Sequence, residues 1–195
     1  ATWNMAYWSH RKLESQAWNY SIRELGCDVL LTQESFPHPD ILQEDHFVWN
    51  AIGGTRPWGS GVYCSKYKIK EHTFDNIFFG AVTAAEIQLK DDFKVIFISV
   101  YGLMEKIQNV TYAIPNLHRI FSDLTGLLEG ASTKHRIILG GDLNASIQID
   151  AQQTGNSHQV FFDRLKEFGL ANCFDNYFDT YVQTHRHSRS DKPWQ

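Results

Sequence analysis

Residues 135–146 read HRIILGGDLNAS: an apolar run from His135 to Leu139 gives way to two glycines, an acid, Asp142, and an amide, Asn144. The apolar run reads as a buried strand that ends at the glycines. Asp and Asn two apart are turn formers that bond their own backbone. They are equally the acid and amide that a phosphate-cleaving site uses. The other strand ends decide between these readings.

Working outward, three more apolar runs end in chemically capable residues. The first strand closes on Trp3-Asn4. CDVLLTQE (27–34) closes on Gln33-Glu34, and FKVIFISVYG (93–102) carries Tyr101 at its end. HFVWNAI (46–52), SGVYCS (60–65) and AVTAAEIQL (81–89) read as further strands, with KDD (90–92) a short hairpin connection. Leu13, Ala17, Ile22 and Leu25 predict a helix over Arg11–Leu25, with Ser9 as a possible N-cap and Gly26 as its end. Pro115 opens a second helix with a stripe of Leu117, Ile120, Phe121, Leu124, Leu127 and Leu128, stopped by Gly130. A third helix, Val160–Phe168, ends at Gly169. The order predicts an α/β protein with mixed sheets covered by helices. No repeat, low-complexity tract or charge block marks a boundary, so residues 1–195 read as a single domain.

The bulk properties narrow the partners. At 195 residues, 43% hydrophobic and 14% aromatic, the chain has material for one substantial core and is far from a disordered composition. A net charge of −4 and a pI near 6.1 exclude a basic field that would attract nucleic acid from a distance. A polyanionic substrate therefore requires local Lys and Arg, or a bound cation. Cys27, Cys64 and Cys173 show no CxxC spacing, and a reduced, cytoplasmic setting with buried thiols is expected. No run approaches the roughly twenty apolar residues of a membrane span, and no signal peptide is visible. The abrupt start, ATWNM, and end, SDKPWQ, suggest an excerpt of a longer polypeptide.

In layered α/β proteins, strand ends on one edge converge to form sites. Gathered together, these ends meet the needs of phosphodiester hydrolysis. A hard cation such as Mg²⁺ takes one or two carboxylates and keeps several waters. Glu34 is the candidate metal ligand, with Asn4 giving an amide oxygen or steering the carboxylate. Asp142 suits the base that activates water. Asn144 donates its amide to phosphate or nucleophile, and Tyr101 donates to a phosphate oxygen as charge builds. Each residue also has a plain explanation: GDLN as a turn, Asn4 and Glu34 as caps, Tyr101 as core with a wet hydroxyl. Singly, the plain explanation is favoured for each; jointly, it requires coincidence at four separate strand ends.

TWNM, DVLLTQES, WGSGVYCS, VYG and GGDLNAS, in this order from residue 2 to 146, resemble the endonuclease/exonuclease/phosphatase superfamily, with its deoxyribonuclease-I-like and exonuclease-III-like fold. The resemblance implies a four-layer sandwich of two mixed β-sheets flanked by helices, hydrolysing phosphate esters with Mg²⁺ or Mn²⁺. It implies that Asn4 is the first-strand asparagine, Glu34 the metal-binding glutamate, Asp142 and Asn144 the GDxN base and its partner, and Tyr101 the active-site tyrosine of the exonuclease-III branch. Two departures stand out. The family's later Ile-Asp and Ser-Asp-His motifs are missing from this chain: it stops about where the Ile-Asp motif would fall, and its SDK at 190–192 is no substitute for the histidine. The fold is thus expected to lack its last strands, and the 195 residues alone to be impaired. Where some nucleases carry an acid two positions after the asparagine, this chain has Ala6.

Softer candidates for substrate contact are Arg56 and Trp58 in GGTRPWGSG, and Arg186 in the basic segment THRHSRSDK (184–192), each also readable as ordinary loop. His185 and His187 lack the third ligand spacing of a zinc site. The leading expectation is a divalent-metal-dependent phosphodiesterase, a nuclease acting on nucleic acid. The alternatives are a phosphatase or small-molecule or phospholipid phosphodiesterase, and a catalytically silent binding domain on the same scaffold. No oligomeric state is legible.

Overall fold

The apolar runs pair into two four-stranded sheets built to one plan in the computed structural model of the protein. It describes residues 1–38, 44–90, 93–107, 110–134, 136–150, 155–178, 184–186 and 193–194. The chain divides into two compact units, Ala1–Asn144 and Ala145–Gln195.

In the first unit one sheet has the order β1 (Thr2–Asn4), β2 (Val29–Ser35), β4 (Arg56–Cys64), β3 (Phe47–Gly53). The other has the order β10 (Arg136–Asp142), β7 (Phe93–Tyr101), β6 (Val82–Lys90), β5 (Ile69–Glu71). In each, the first two strands are parallel and the rest antiparallel. A small hairpin, β8 (Glu105–Ile107) and β9 (Val110–Tyr112), follows β7.

Alternation along β2 explains the layering. Leu31 packs with Val62 and Ala85 between the sheets, while Leu30 points outward to Met5, Trp18 and Tyr63 under the N-terminal helical segment. On the outside of the second sheet, α3 (Ile114–Asp123) and α4 (Thr125–Lys134) bury Leu117, Ile120, Phe121, Leu124 and Leu128. The result is a four-layer α/β sandwich.

The inter-sheet layer is partly polar. Gln33 Nε2 donates to Ser99 Oγ at 2.9 Å, and Ser99 Oγ donates to the carbonyl of Thr32 at 2.8 Å. Ser60 and Thr83 hydroxyls meet at 2.8 Å. All five residues are buried, so each of these polar groups depends on its partner across the gap.

Several sequence expectations are corrected. The helix expected over 11–25 is preceded by a short α1 (Tyr7–His10) and is itself three pieces: a 3₁₀ turn (Arg11–Leu13), α2 (Glu14–Asn19) and a π-turn (Tyr20–Glu24). Ser9 lies inside α1, not at its cap, and Leu13 and Leu25 are exposed; Trp18 and Ser21 take the buried face. Trp18 decides this, because its whole ring is buried and its Nε1 donates to the Phe36 carbonyl at 2.8 Å. Gly130 does not stop the second helix. The break falls at Leu124, and α4 continues through the glycine. The strand β10, expected to be buried, is an edge strand beside β7, and Ile138 is about half exposed. Asp91 and Asp92 of the KDD connection lie outside the described residues, though Lys90 pairs with Phe93 across it.

In the second unit, α6 (Ser157–Glu167) is capped by Asp150 from α5 (Ile147–Asp150), whose carboxylate accepts from the backbone N–H of His158 and Gln159. His158 and Phe161 are its buried residues. His185–Arg186 (β11) pairs with Pro193–Trp194 (β12).

Candidate active site

The register of the two parallel pairs sets the site. Asn4 lies opposite Gln33 in the first sheet, which puts Glu34 one residue beyond it, and Asp142 lies opposite Tyr101 in the second. A β-bulge between Thr32 and Ser35 against β4 re-aims the end of β2, and Glu34 sits inside it with φ 44°. Its side chain turns into the structure and is only 7% exposed.

One amide joins the sheets. Asn4 Nδ2 donates to Asp142 Oδ2 at 2.8 Å, while Asn4 Oδ1 accepts the backbone N–H of Ala6 at 2.8 Å. Asp142 Oδ1 accepts the backbone N–H of Asn144 at 3.2 Å, so both of its oxygens are oriented. Asn144 Nδ2 donates to the Gly102 carbonyl at 3.0 Å, and Gly102 N–H donates to the Asp142 carbonyl at 2.7 Å, stitching together the ends of β7 and β10. Gly102 is required by this approach, because a Cβ there would collide with the Leu143 backbone.

The Tyr101 phenol, the Trp8 indole N–H and the Asn4 amide lie close enough to Glu34 to act on its carboxylate as donors. Burial raises its pKa, the three donors oppose that, and the nearby Asp142 charge adds to it. Tyr101 is held far above its ordinary pKa, first by burial and then by Glu34 and Asp142, against the Arg56 guanidinium. Its phenol is therefore a donor and not a base.

The non-glycine residues with positive φ among the described residues are Ala6, Glu34 and Asn144. All three belong to this cluster. Such conformations cost of order 1–3 kcal/mol each and persist where the surroundings over-determine them.

Five residues expected from sequence, Asn4, Glu34, Tyr101, Asp142 and Asn144, thus come together. Asn144 does so with its amide engaged to backbone. Arg56 is close enough for its charge to act on Tyr101. Trp58 lies in β4 at the irregular pairing with β3 between Arg56 and Gly59; its indole nitrogen is buried without a hydrogen-bond partner. Arg186 is in the second unit, in β11, and its side chain lies outside the described residues, as do His187 and 188–192. Trp8 and Gly102 were not singled out by sequence, and Gln33 was named only as a strand end, with no supporting role. Nothing in the order TWNMAYW signals the left-handed turn at Ala6 that brings Trp8 back toward Glu34.

Among the described residues, no three His, Cys, Asp or Glu side chains gather as a metal cluster. None of the described ion pairs involves Glu34 or Asp142. A buried carboxylate served by neutral donors and close to a second carboxylate fits a hard, largely hydrated cation and not zinc, while the Asn4 oxygen, engaged by the Ala6 N–H, leaves its amide NH₂ to steer the carboxylates.

The sequence matches the family model described as "Endonuclease/Exonuclease/phosphatase family" over residues 1–188. None of the curated proteins matches it. The fold is similar to the endonuclease domain of TRAS1, a telomere-specific non-LTR retrotransposon, with 14% identity, TM-score 0.59, and coverage of 86% of this chain and 70% of that one. It is also similar to the 3'-5' exonuclease NExo from Neisseria meningitidis, with 18% identity, TM-score 0.54, and 86% and 70% coverage. A second structure, described as the 3' phosphatase NExo bound to product DNA hairpin, aligns at 18% identity with TM-score 0.55, covering 86% of this chain and 69% of that one.

Proposed function

Since this chain belongs to the endonuclease/exonuclease/phosphatase family, we propose that it hydrolyses phosphodiester bonds of nucleic acid with a divalent metal, Mg²⁺ or Mn²⁺. The observation that carries the reading is the junction of Glu34 and Asn4 from one sheet with Asp142 and Tyr101 from the other.

Glu34 would hold the cation, with Asn4 beside it, and the bound cation supplies charge neutralisation for substrate and carboxylates alike. Asp142 accepts the proton of the attacking water. Its two oxygens are fixed by Asn4 and Asn144, and each keeps a second lone pair for that proton. Tyr101 remains protonated beside Glu34 and donates to a phosphate oxygen when substrate is present. Arg56 adds the local positive charge that a chain of net charge −4 otherwise lacks at its site. Asn144 positions the base through its backbone and keeps one amide hydrogen for the phosphate.

The acidic net charge favours a second reading, a phosphatase or small-molecule phosphodiesterase. Hydrolysis of labelled DNA and RNA oligonucleotides and of nucleotide monoesters, with and without Mg²⁺, separates the two. Cleavage of internal or terminal diesters that disappears in Asp142→Asn supports the nuclease. Exclusive release of phosphate from monoesters transfers the site to the second reading. A folded chain that binds Mg²⁺ but turns over neither substrate class would be a silent binding domain.

A further inference from the structure

Trp8 is unlike the other described tryptophans. Trp18 is fully buried, and Trp49 is half-buried with its Nε1 donating to the Ser35 carbonyl at 3.2 Å. Trp8 is 63% exposed. Its indole N–H nevertheless lies close enough to Glu34 to act on the carboxylate, and its neighbours fix where it stands: Tyr7 is buried and Ala6 is locked by Asn4. An ordered, solvent-facing indole forgoes the apolar burial that tryptophan usually provides.

The platform beneath it is stiff. The Ala6 carbonyl accepts from Ser9 N (2.9 Å), His10 N (3.0 Å) and Ser9 Oγ (3.1 Å), and Ala6 N–H is held by Asn4. Tyr7, the neighbour of Trp8, is buried and stacks on Phe36 with centroids 5.1 Å apart and planes 18° apart. The strained turn at Ala6 thus fixes a short helix whose next residue presents a flat aromatic face at the catalytic carboxylate.

We propose that Trp8 is a base-stacking, specificity-determining residue. Its indole face receives a nucleobase adjacent to the scissile phosphate, while its N–H orients Glu34. This rests on the phosphodiesterase reading and narrows it to substrates that carry an aromatic base there. Every nucleobase offers a π-face to such a platform, and each base–aromatic stack is a sizeable, sequence-tolerant gain. An aliphatic lipid tail gains little from a single flat ring set beside two carboxylates.

The test uses single-stranded oligonucleotides and their counterparts with tetrahydrofuran abasic residues. Binding is measured by fluorescence anisotropy with Mg²⁺ in an Asp142→Asn background that blocks cleavage. With Trp8 intact the base-containing strand is expected to bind about tenfold more tightly than the abasic one. Trp8→Phe retains that ratio, and Trp8→Ala abolishes it. In the Asp142 form, Trp8→Phe lowers kcat at unchanged KM, because the face is kept and the N–H lost; Trp8→Ala also raises KM. Equal binding of the two strands by the intact site, or a ratio that survives Trp8→Ala, overturns the proposal. So does a Trp8→Ala effect confined to phosphatidylcholine vesicle binding, which would make the residue an interfacial anchor. Base discrimination without turnover of any phosphate ester leaves the stacking site standing and removes the hydrolase reading. Robust turnover with abasic and intact strands cleaved alike does the reverse.

Discussion

The first sheet ends its parallel pair in Asn4 and a bulged Glu34, and the second ends its pair in Asp142 and Tyr101, directly in register. The pairing plan is the same on both sides, yet the ends differ. In the first sheet the chain departs from strand geometry and drives a carboxylate inward, where burial raises its pKa. In the second, Asp142 remains within its strand and both oxygens are caught by neighbouring N–H groups. Irregularity on one side provides an electrostatic seat. Regularity on the other holds a carboxylate with both oxygens oriented, as the proposed base requires. A single fold plan thus supplies two kinds of carboxylate through local backbone alone.

The largest expected effect separates these two. Glu34→Ala and Asp142→Asn are each expected to reduce turnover by on the order of 10²–10⁴. Raising Mg²⁺ should recover part of the loss in Glu34→Ala and none in Asp142→Asn, as read from kcat against metal concentration. Identical, unrecoverable losses would erase the distinction between the sheets. Next in size, saturating Mg²⁺ should raise the Tm by several degrees, since ligand at a hundred times its Kd adds about 2.7 kcal/mol. Thermal scans should show that shift in Asp142→Asn and lose it in Glu34→Ala.

Asn4 offers a finer test, because its amide donates to Asp142 and lies close to Glu34. A double-mutant cycle of Asn4→Ala with Asp142→Ala, followed by urea denaturation, should give a coupling of about 0.5–3 kcal/mol. Additivity would mean that the sheets are joined elsewhere. The smallest effect is expected at Ala6. Glycine there relieves a left-handed conformation worth about 1–2 kcal/mol and gives back about 0.5–1 kcal/mol in entropy. The Tm should rise by roughly 2–4 °C for each kcal/mol that remains. A fall would show that Ala6 carries no strain.

The strand ends were legible because continuous apolar runs stop abruptly at polar residues, and that signal is local. The helical segment was not, since Leu13 and Leu25 mimic a buried stripe while one residue, Trp18, sets the true face. Trp8 was hidden because its position depends on a dihedral angle at Ala6 that no composition rule marks. The polar layer of Gln33, Ser99, Ser60 and Thr83 was equally silent: Ser and Thr within strands read as surface until the facing sheet is known. Asn144 was found by motif, but its hydrogen bond to Gly102 became visible only when β7 and β10 were paired.

The contact between Asn4 and Asp142 spans 138 positions of the polypeptide. Closing so long a loop costs entropy that grows with the logarithm of its length, and long-range closures of this kind slow folding. A species in which β1 and β10 are still apart lacks the junction of Asn4 with Asp142, so on the proposed reading hydrolysis during refolding begins only when both strands are in place, later than any metal affinity that Glu34 confers.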